Sequence, residues 1–165
     1  MMFFIVVFIT YIIASLFGYV VHWALHQTWM GSINQAHMTH HQKLYPPEDF
    51  LSDSYRKAEK DSSPKFFAVA AIPLIVAPII LFVVGILPFY LLLTVLMVEG
   101  LMGFFHDYLH DAFHIRNHWL TRAPGVQVIF HGWSRLHYLH HVRMESNYGI
   151  FFFVWDRMFS TFRDK

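Results

Sequence analysis

Residues 37–41 read HMTHH, and residues 137–141 read HYLHH. Positions three and four apart share a helix face. His37, His40 and His41 can therefore bring their imidazoles within about 6 Å, four residues at roughly 1.5 Å rise each. His137, His140 and His141 can do the same. Two further pairs carry a step of four: His22 and His26 in HWALH, and His106 and His110 in HDYLH. A neutral imidazole is a common metal ligand. Taken alone, a pair such as His22 and His26 reads as an interfacial or hydrogen-bonded feature, but four groups converging on one face read as a metal site.

The number of rings bears on the metal. A structural zinc takes four ligands and a catalytic zinc three plus water. The ten box histidines exceed one such site. Five on each of two metals leave room for oxygen in six-coordinate geometry. Imidazole suits zinc, copper, iron and nickel alike, so ligand type does not name the metal, and ligand number favours iron. The chain has no cysteine, which excludes disulfides, thiolate metal sites and iron–sulfur clusters.

Other polar residues near the boxes read differently. His114 and His118 continue the step of four from His106 and His110, but each step drifts about 40° round a helix. That rotation carries His118 away from the first metal and leaves His114 in an outer position. His131 matches no box. Glu99 lies inside an apolar run, seven residues before His106 and on nearly the same face. Intramembrane acids are functional candidates by default, and Glu99 is expected to hydrogen-bond a ligand imidazole from outside or to be a structural acid. Asp107 and Asp111 orient rings or face water.

These residues need elements to position them. The first charged side chain is Lys43. The preceding run, from MMFFIVVFITYI onward, is long enough to cross a hydrocarbon core of about 30 Å. With no basic n-region and no small-residue cleavage site it reads as a retained anchor. Residues 42–65 are polar, charged and broken by Pro46 and Pro47, an aqueous connection. From Phe66 to Phe105 the only charge is Glu99. As one helix these forty residues would measure about 60 Å, so Gly85 and Pro88 are read as the turn of a hairpin, with Pro73 and Pro78 kinking its first arm.

The expected fold is all-α: one integral membrane domain over residues 1–165. It has three transmembrane spans at about 2–25, 66–84 and 87–105, and a cytoplasmic helical cap from 27–65 and 106–165. Charge supports this placement. All twelve Lys and Arg fall within 43–65 or 116–165, which makes those segments cytoplasmic and the amino terminus external. Apolar residues make up 56% and charged residues 14%, a membrane-protein balance. A net charge of +1 gives no basic surplus for nucleic acid.

The four boxes, followed by NYGIFFFVWDRMFSTF, resemble the fatty acid hydroxylase/sterol desaturase superfamily of membrane di-metal oxygenases, from about residue 18 to residue 163. The boxes are shared with membrane acyl desaturases. Asn147-Tyr148-Gly149 and Trp155-Asp156-Arg157 make this superfamily the closer match, and HHQKLYPPEDF is similar to its acyl-chain hydroxylase branch. The resemblance implies that His22, His26, His37, His40, His41, His106, His110, His137, His140 and His141 ligate two iron ions, with zinc as a substitute in purified material. It further implies O₂ as co-substrate, a membrane lipid as substrate and an active site on the cytosolic face of the cell inner membrane or the endoplasmic reticulum. The Asn147–Gly149 stretch and Trp155 would pack the cap. The chain departs from the pattern in three places. Members usually have four spans, where three are counted. No cytochrome b5-like domain is fused, so electrons must come from a separate cytochrome b5-, ferredoxin- or reductase-type protein. Ser160 stands where glycine is more usual.

Size and box order are also similar to carotenoid ring hydroxylases, and a sterol hydroxylase or desaturase of the same superfamily is a further alternative. From a different class, a metal transporter or metal-binding membrane protein would need polar groups across the midplane, where the spans offer Glu99 and little else. A bis-histidine haem protein needs facing axial pairs and leaves both triplets unexplained. The exact lipid, the carbon attacked and the oligomeric state are left open by the sequence.

Overall fold

The computed structural model describes residues 2–57 and 63–165, and among them every regular element is helical. Two helices dominate: α1, Met2–Leu25, and α5, Phe89–Phe113. Between them come α2, Ser32–Thr39, then α3, Ser63–Ala70, and α4, Ile72–Val83. After α5 follow α6, Gln127–Val142, and the short α7, Val154–Met158. The expected aqueous connection over 42–65 includes residues 58–62, which lie outside the described residues.

Both long helices are long and apolar enough to cross a membrane, yet only 22% and 11% of their most apolar windows are buried. A core helix of a water-soluble protein would hide that surface. Here Phe4, Phe8, Ile9 and Ile13 of α1 and Leu93, Met97, Leu101 and Phe104 of α5 are exposed. Burial on α1 concentrates towards its carboxyl end, at Tyr19, Val21, His22, Ala24 and Leu25. The two helices pack closely there: a methyl group added at Gly18 would lie 3.7 Å from His106 Cδ2. Gly18 is the small residue on α1 that faces α5 at this approach.

The apolar hairpin differs in one respect from the expected pair of continuous arms. Its first arm is broken at Ala71 into α3 and α4, with Pro73 in the first turn of α4 and Pro78 inside it. Proline donates no backbone hydrogen bond, so the ladder is interrupted just ahead of Pro73. Gly85, at φ 77°, ends the arm in the left-handed region, and Pro88 caps α5. Helix α5 then runs eight residues past the expected end of its span, carrying His106 and His110 with it.

A polar layer covers one end of these helices. Phe50, Leu109, Ala112, Phe113, Leu120, Phe130 and Ile150 form its apolar core. Ser52 and Ile115 pair in a single extended bridge, with Ser52 N donating to His114 O at 2.9 Å and Arg116 N to Ser52 O at 2.9 Å. This ties the segment after the first triplet to the end of α5.

The tail forms a clamp around Asp156, which is fully buried. Its carboxylate accepts from Tyr148 N at 2.7 Å, Gly149 N at 2.9 Å and Thr161 Oγ1 at 2.9 Å. Asn147 Oδ1 accepts from Arg163 N at 2.9 Å, and its Nδ2 donates to Arg163 O at 2.7 Å. Gly149 has no room for a side chain: an added Cβ would lie 2.8 Å from both Asp156 Oδ2 and Phe152 O. Trp155 Nε1 donates to Ser15 Oγ at 3.0 Å, anchoring the clamp on α1.

Ser160 adopts φ 61°, a conformation that costs an L-residue about 1 kcal/mol and glycine almost nothing. Ser160→Gly is therefore expected to stabilise the protein by roughly 0.5–1 kcal/mol, the strain relieved less the added freedom of the unfolded chain. Gly149→Ala is expected to destabilise it by about 1–3 kcal/mol through overpacking. Thermal unfolding in detergent measures both, and an unchanged or lowered midpoint for Ser160→Gly would show that residue 160 carries no strain.

Candidate metal centre

Two groups of imidazoles meet inside the polar layer. In the first, ligand atoms of His22, His26, His37, His41 and His140 all lie within 4.8 Å of one another; in the second, so do those of His40, His114, His137 and His141. The groups abut through His41 and His141, whose ring centroids are 4.1 Å apart. His110 stands beside the second group, its ring 4.8 Å from His40, 4.9 Å from His137 and 5.4 Å from His114.

Helix geometry explains how each box divides. At about 100° per residue, positions i and i+4 differ by about 40°, whereas i+3 and i+4 differ by about 100°. His37 and His41 thus point together into the first group, while His40 turns away into the second. On α6 the roles are exchanged: His137 and His141 serve the second group and His140 the first. A π-helical turn over His40–Leu44, closed by Tyr45 N donating to His40 O at 2.9 Å, shapes this divergence. The sequence spacing placed each triplet on one face; the structure spreads each over two centres.

The rings are held from outside. His22 Nδ1 donates to Tyr148 O at 2.7 Å, His140 Nδ1 to Ser146 O at 2.6 Å, His141 Nδ1 to Tyr45 O at 2.7 Å and His114 Nδ1 to Phe50 O at 3.1 Å. A carbonyl oxygen only accepts, so in each case the hydrogen sits on Nδ1 and the lone pair on Nε2. Such outward bonds fix the tautomer and orientation of a metal-ligating histidine. The Nε2 atoms of His22, His40 and His141 are buried with no hydrogen-bond partner.

Several Nε2 atoms face each other directly. His26 and His37 are 3.0 Å apart; His26 and His140, His37 and His41, and His114 and His137 are each 3.1 Å apart. Facing lone pairs repel unless a proton or cation lies between them. Metal–imidazole bonds of about 2.0–2.1 Å put ligands at right angles about 3.0 Å apart and tetrahedral ligands about 3.4 Å apart. The observed spacing matches the right-angled arrangement, so these residues fit a bound metal of square-planar or octahedral rather than tetrahedral geometry.

Electrostatics point the same way. Burial, first, and then like charge on neighbouring rings hold His37, His40, His41, His137 and His140 well below the usual imidazole range. His141 is pushed down to about 3, chiefly by burial. Depressed values keep these rings neutral at pH 7, with lone pairs available to a metal.

Nine histidines are thus brought together in two groups, and eight of them, all but His114, belong to three of the four sequence boxes. His110 adjoins the second group, and its Nδ1 lies 3.7 Å from Asp111 Oδ1. His106 stands in neither; its Nδ1 is 3.3 Å from Asp107 Oδ1. His114 joins because α5 ends at Phe113, leaving His114 at its carboxyl cap with Phe50 O as hydrogen-bond acceptor. The drift of about 40° per step of four puts His114 in an outer position and keeps His106 among the ligands; the structure places them the other way round, with His114 in the second group and His106 outside both. His118 caps the turn Trp119–Thr121 and contacts Tyr108 OH at 3.2 Å, while His131 is exposed and lies 3.3 Å from Thr121 O. Glu99 and His106 line a cavity of about 480 Å³ bounded by α1, α3, α4, α5 and residues 149–152.

The tail residues have a role that spacing alone did not reveal. Tyr148, fixed by Asp156, supplies the carbonyl that orients His22, and the adjoining Ser146 supplies the one for His140. Tyr45, fully buried, holds His141 through its carbonyl and stacks on His114 at 3.9 Å.

The fatty acid hydroxylase family profile matches residues 7–161. No curated protein and no solved structure matches the chain. The match takes in most of α1, all of α5, both histidine groups and Asp156 with its partners Tyr148, Gly149 and Thr161, and this membrane protein with its paired imidazole clusters belongs to the fatty acid hydroxylase family.

Proposed function

We propose that this protein is a di-iron, O₂-dependent hydroxylase that oxidises a C–H bond of a membrane lipid, with a fatty acyl chain as its substrate. The observation that carries this reading is the pair of abutting all-imidazole groups in a chain whose two long helices also bound an apolar cavity lined by His106, one helical turn before His110. His22, His26, His37, His41 and His140 would hold one iron. His40, His110, His114, His137 and His141 would hold the other, with His114 in the place that the resemblance implied for His106. When bound, the irons supply O₂ activation, which side chains alone do not.

The chain's own residues do the positioning. The carbonyls of Tyr45, Phe50, Ser146 and Tyr148 keep lone pairs aimed inward. The cavity lets an acyl chain reach the site from lipid, and its apolar walls exclude water. The reaction balances as R–H plus O₂ plus two electrons and two protons giving R–OH plus water. The electrons would come from a separate donor protein of the cytochrome b5, ferredoxin or reductase type.

Topologically, we propose three spans: α1, the broken pair α3 and α4, and α5. The distribution of Lys and Arg supports a cytoplasmic cap and an external amino terminus. A reporter fused after Lys165 is expected to be cytoplasmic; an external signal there would sink the three-span arrangement.

Metal analysis of purified protein is expected to give about two irons per chain. His40→Ala, His114→Ala and His140→Ala should each lose metal, whereas His106→Phe and His118→Ala should keep it. Loss in His118→Ala with retention in His140→Ala would overturn the ligand set. With ¹⁸O₂, an electron donor and lipid, the heavy isotope should appear in a new hydroxyl group. Label arriving only from water would exclude the oxygenase mechanism, and a double bond without added oxygen would make the protein a desaturase.

A further inference from the structure

The four carbonyls that orient imidazoles from outside differ in what stands behind them. A peptide unit is planar and trans, so its carbonyl and its N–H point opposite ways. The Tyr148 carbonyl, which accepts from His22 Nδ1 at 2.7 Å, shares its peptide with the Gly149 N–H, which donates to Asp156 Oδ2 at 2.9 Å. One peptide thus joins a buried carboxylate to a ring of the first imidazole group.

The other three acceptors have no such backing. Tyr45 O, which holds His141, belongs to the peptide of Pro46, and proline has no N–H to donate. Behind Ser146 O, which holds His140, Asn147 N donates to a neutral carbonyl, Thr161 O, at 3.0 Å. Behind Phe50 O, which holds His114, the Leu51 N–H meets no side-chain carboxylate among the described residues.

Asp156 is suited to act as an anion in this place. Tyr148 N donates to its Oδ1 and Gly149 N to its Oδ2, and Thr161 Oγ1 adds a third bond to Oδ1 at 2.9 Å. Burial pushes the carboxyl up and these bonds work against that; donors on both oxygens favour the ionised form. An anion on the N–H side of a peptide shifts electron density to its carbonyl oxygen, and hydrogen bonds in series strengthen one another. A carboxylate that accepts directly from a metal-binding histidine raises the basicity of that ligand. Here a peptide stands between the two.

We infer that Asp156 is a positioning residue that makes the two imidazole groups electronically unequal: its charge, carried through the Tyr148–Gly149 peptide, makes His22 a stronger electron donor than His114 and His141, the carbonyl-held rings of the second group. A metal ion in the first group would gain affinity from that charge, and its oxidised state would be favoured. This consequence rests on the hydroxylase reading; the polarisation of His22 does not.

The test is the position of the His22 Nδ1–H proton resonance in the full chain, ¹⁵N-labelled at histidine, in detergent at about pH 8, well above the carboxylate range. It is recorded metal-free and with Zn²⁺ bound. A stronger hydrogen bond moves this proton downfield. The His22 signal is identified by its absence in His22→Gln, and the His141 signal serves as internal reference. Asp156→Asn removes the charge and should move the His22 proton upfield, with Zn²⁺ bound about tenfold more weakly. Thr161→Val keeps the side-chain shape but takes one donor from the carboxylate, which concentrates its charge on the remaining bonds. That variant should move the His22 proton downfield. Opposite shifts with His141 unmoved are the expected result. Shifts in one direction, or none in Thr161→Val, would overturn the inference, because a merely structural clamp would loosen His22 in both variants. Should Asp156→Asn fail to fold, the sign of the shift in Thr161→Val decides. Opposite shifts in a chain that binds no iron would sustain this role of Asp156 and defeat the hydroxylase reading; two irons per chain with shifts in one direction would do the reverse.

Discussion

Everything in this structure depends on keeping a dense group of buried imidazoles neutral and aimed inward. Each ring has two nitrogens, and burying either without a partner is costly. At four rings the outer nitrogen is satisfied by a backbone carbonyl, which is a fixed feature of the chain rather than a mobile side chain. Within the two groups, Nε2 atoms face one another at 3.0–3.1 Å. Such an arrangement is poor for an apolar core and well suited to a cation. The cost of assembling it falls on folding, and a bound metal offsets it by linkage.

The carbonyls that orient the rings come from segments far apart in sequence, so the polar layer has to be rigid to hold them. Phe50 does this twice, through its carbonyl on His114 and its ring in the apolar core. The tail does it through Asp156, whose three hydrogen bonds fix Tyr148 and Gly149. A buried carboxylate so fully bonded is a structural device, and its effect reaches the imidazole groups through the Tyr148 carbonyl.

The long helices join this layer to the apolar half of the molecule. Their exposed faces suit lipid, and Gly18 lets α1 and α5 approach where it meets His106. The same helices carry His22 and His110 one turn further on. The cavity between them is lined by His106, one helical turn before His110.

The sequence by itself determined the helical class, the apolar runs, the turn at Gly85 and Pro88, and the gathering of histidines beside the apolar segments. These follow from local properties: hydropathy over a span, the conformational demands of Gly and Pro, and a helical repeat that sets the angle between neighbouring rings. Only the tertiary structure decided which ring joins which group. Periodicity fixes the angle between His37, His40 and His41, but not which partner each will meet. It measures the drift from His106 through His110 to His114, but not which of the three steps lies level with the other rings. The depth at which α5 packs against α1 decides that, sending His106 into the cavity, while the Phe50 carbonyl, 64 residues away in the chain, holds His114 in the second group. Contacts across such separations are set by how whole elements pack, and no local spacing encodes them.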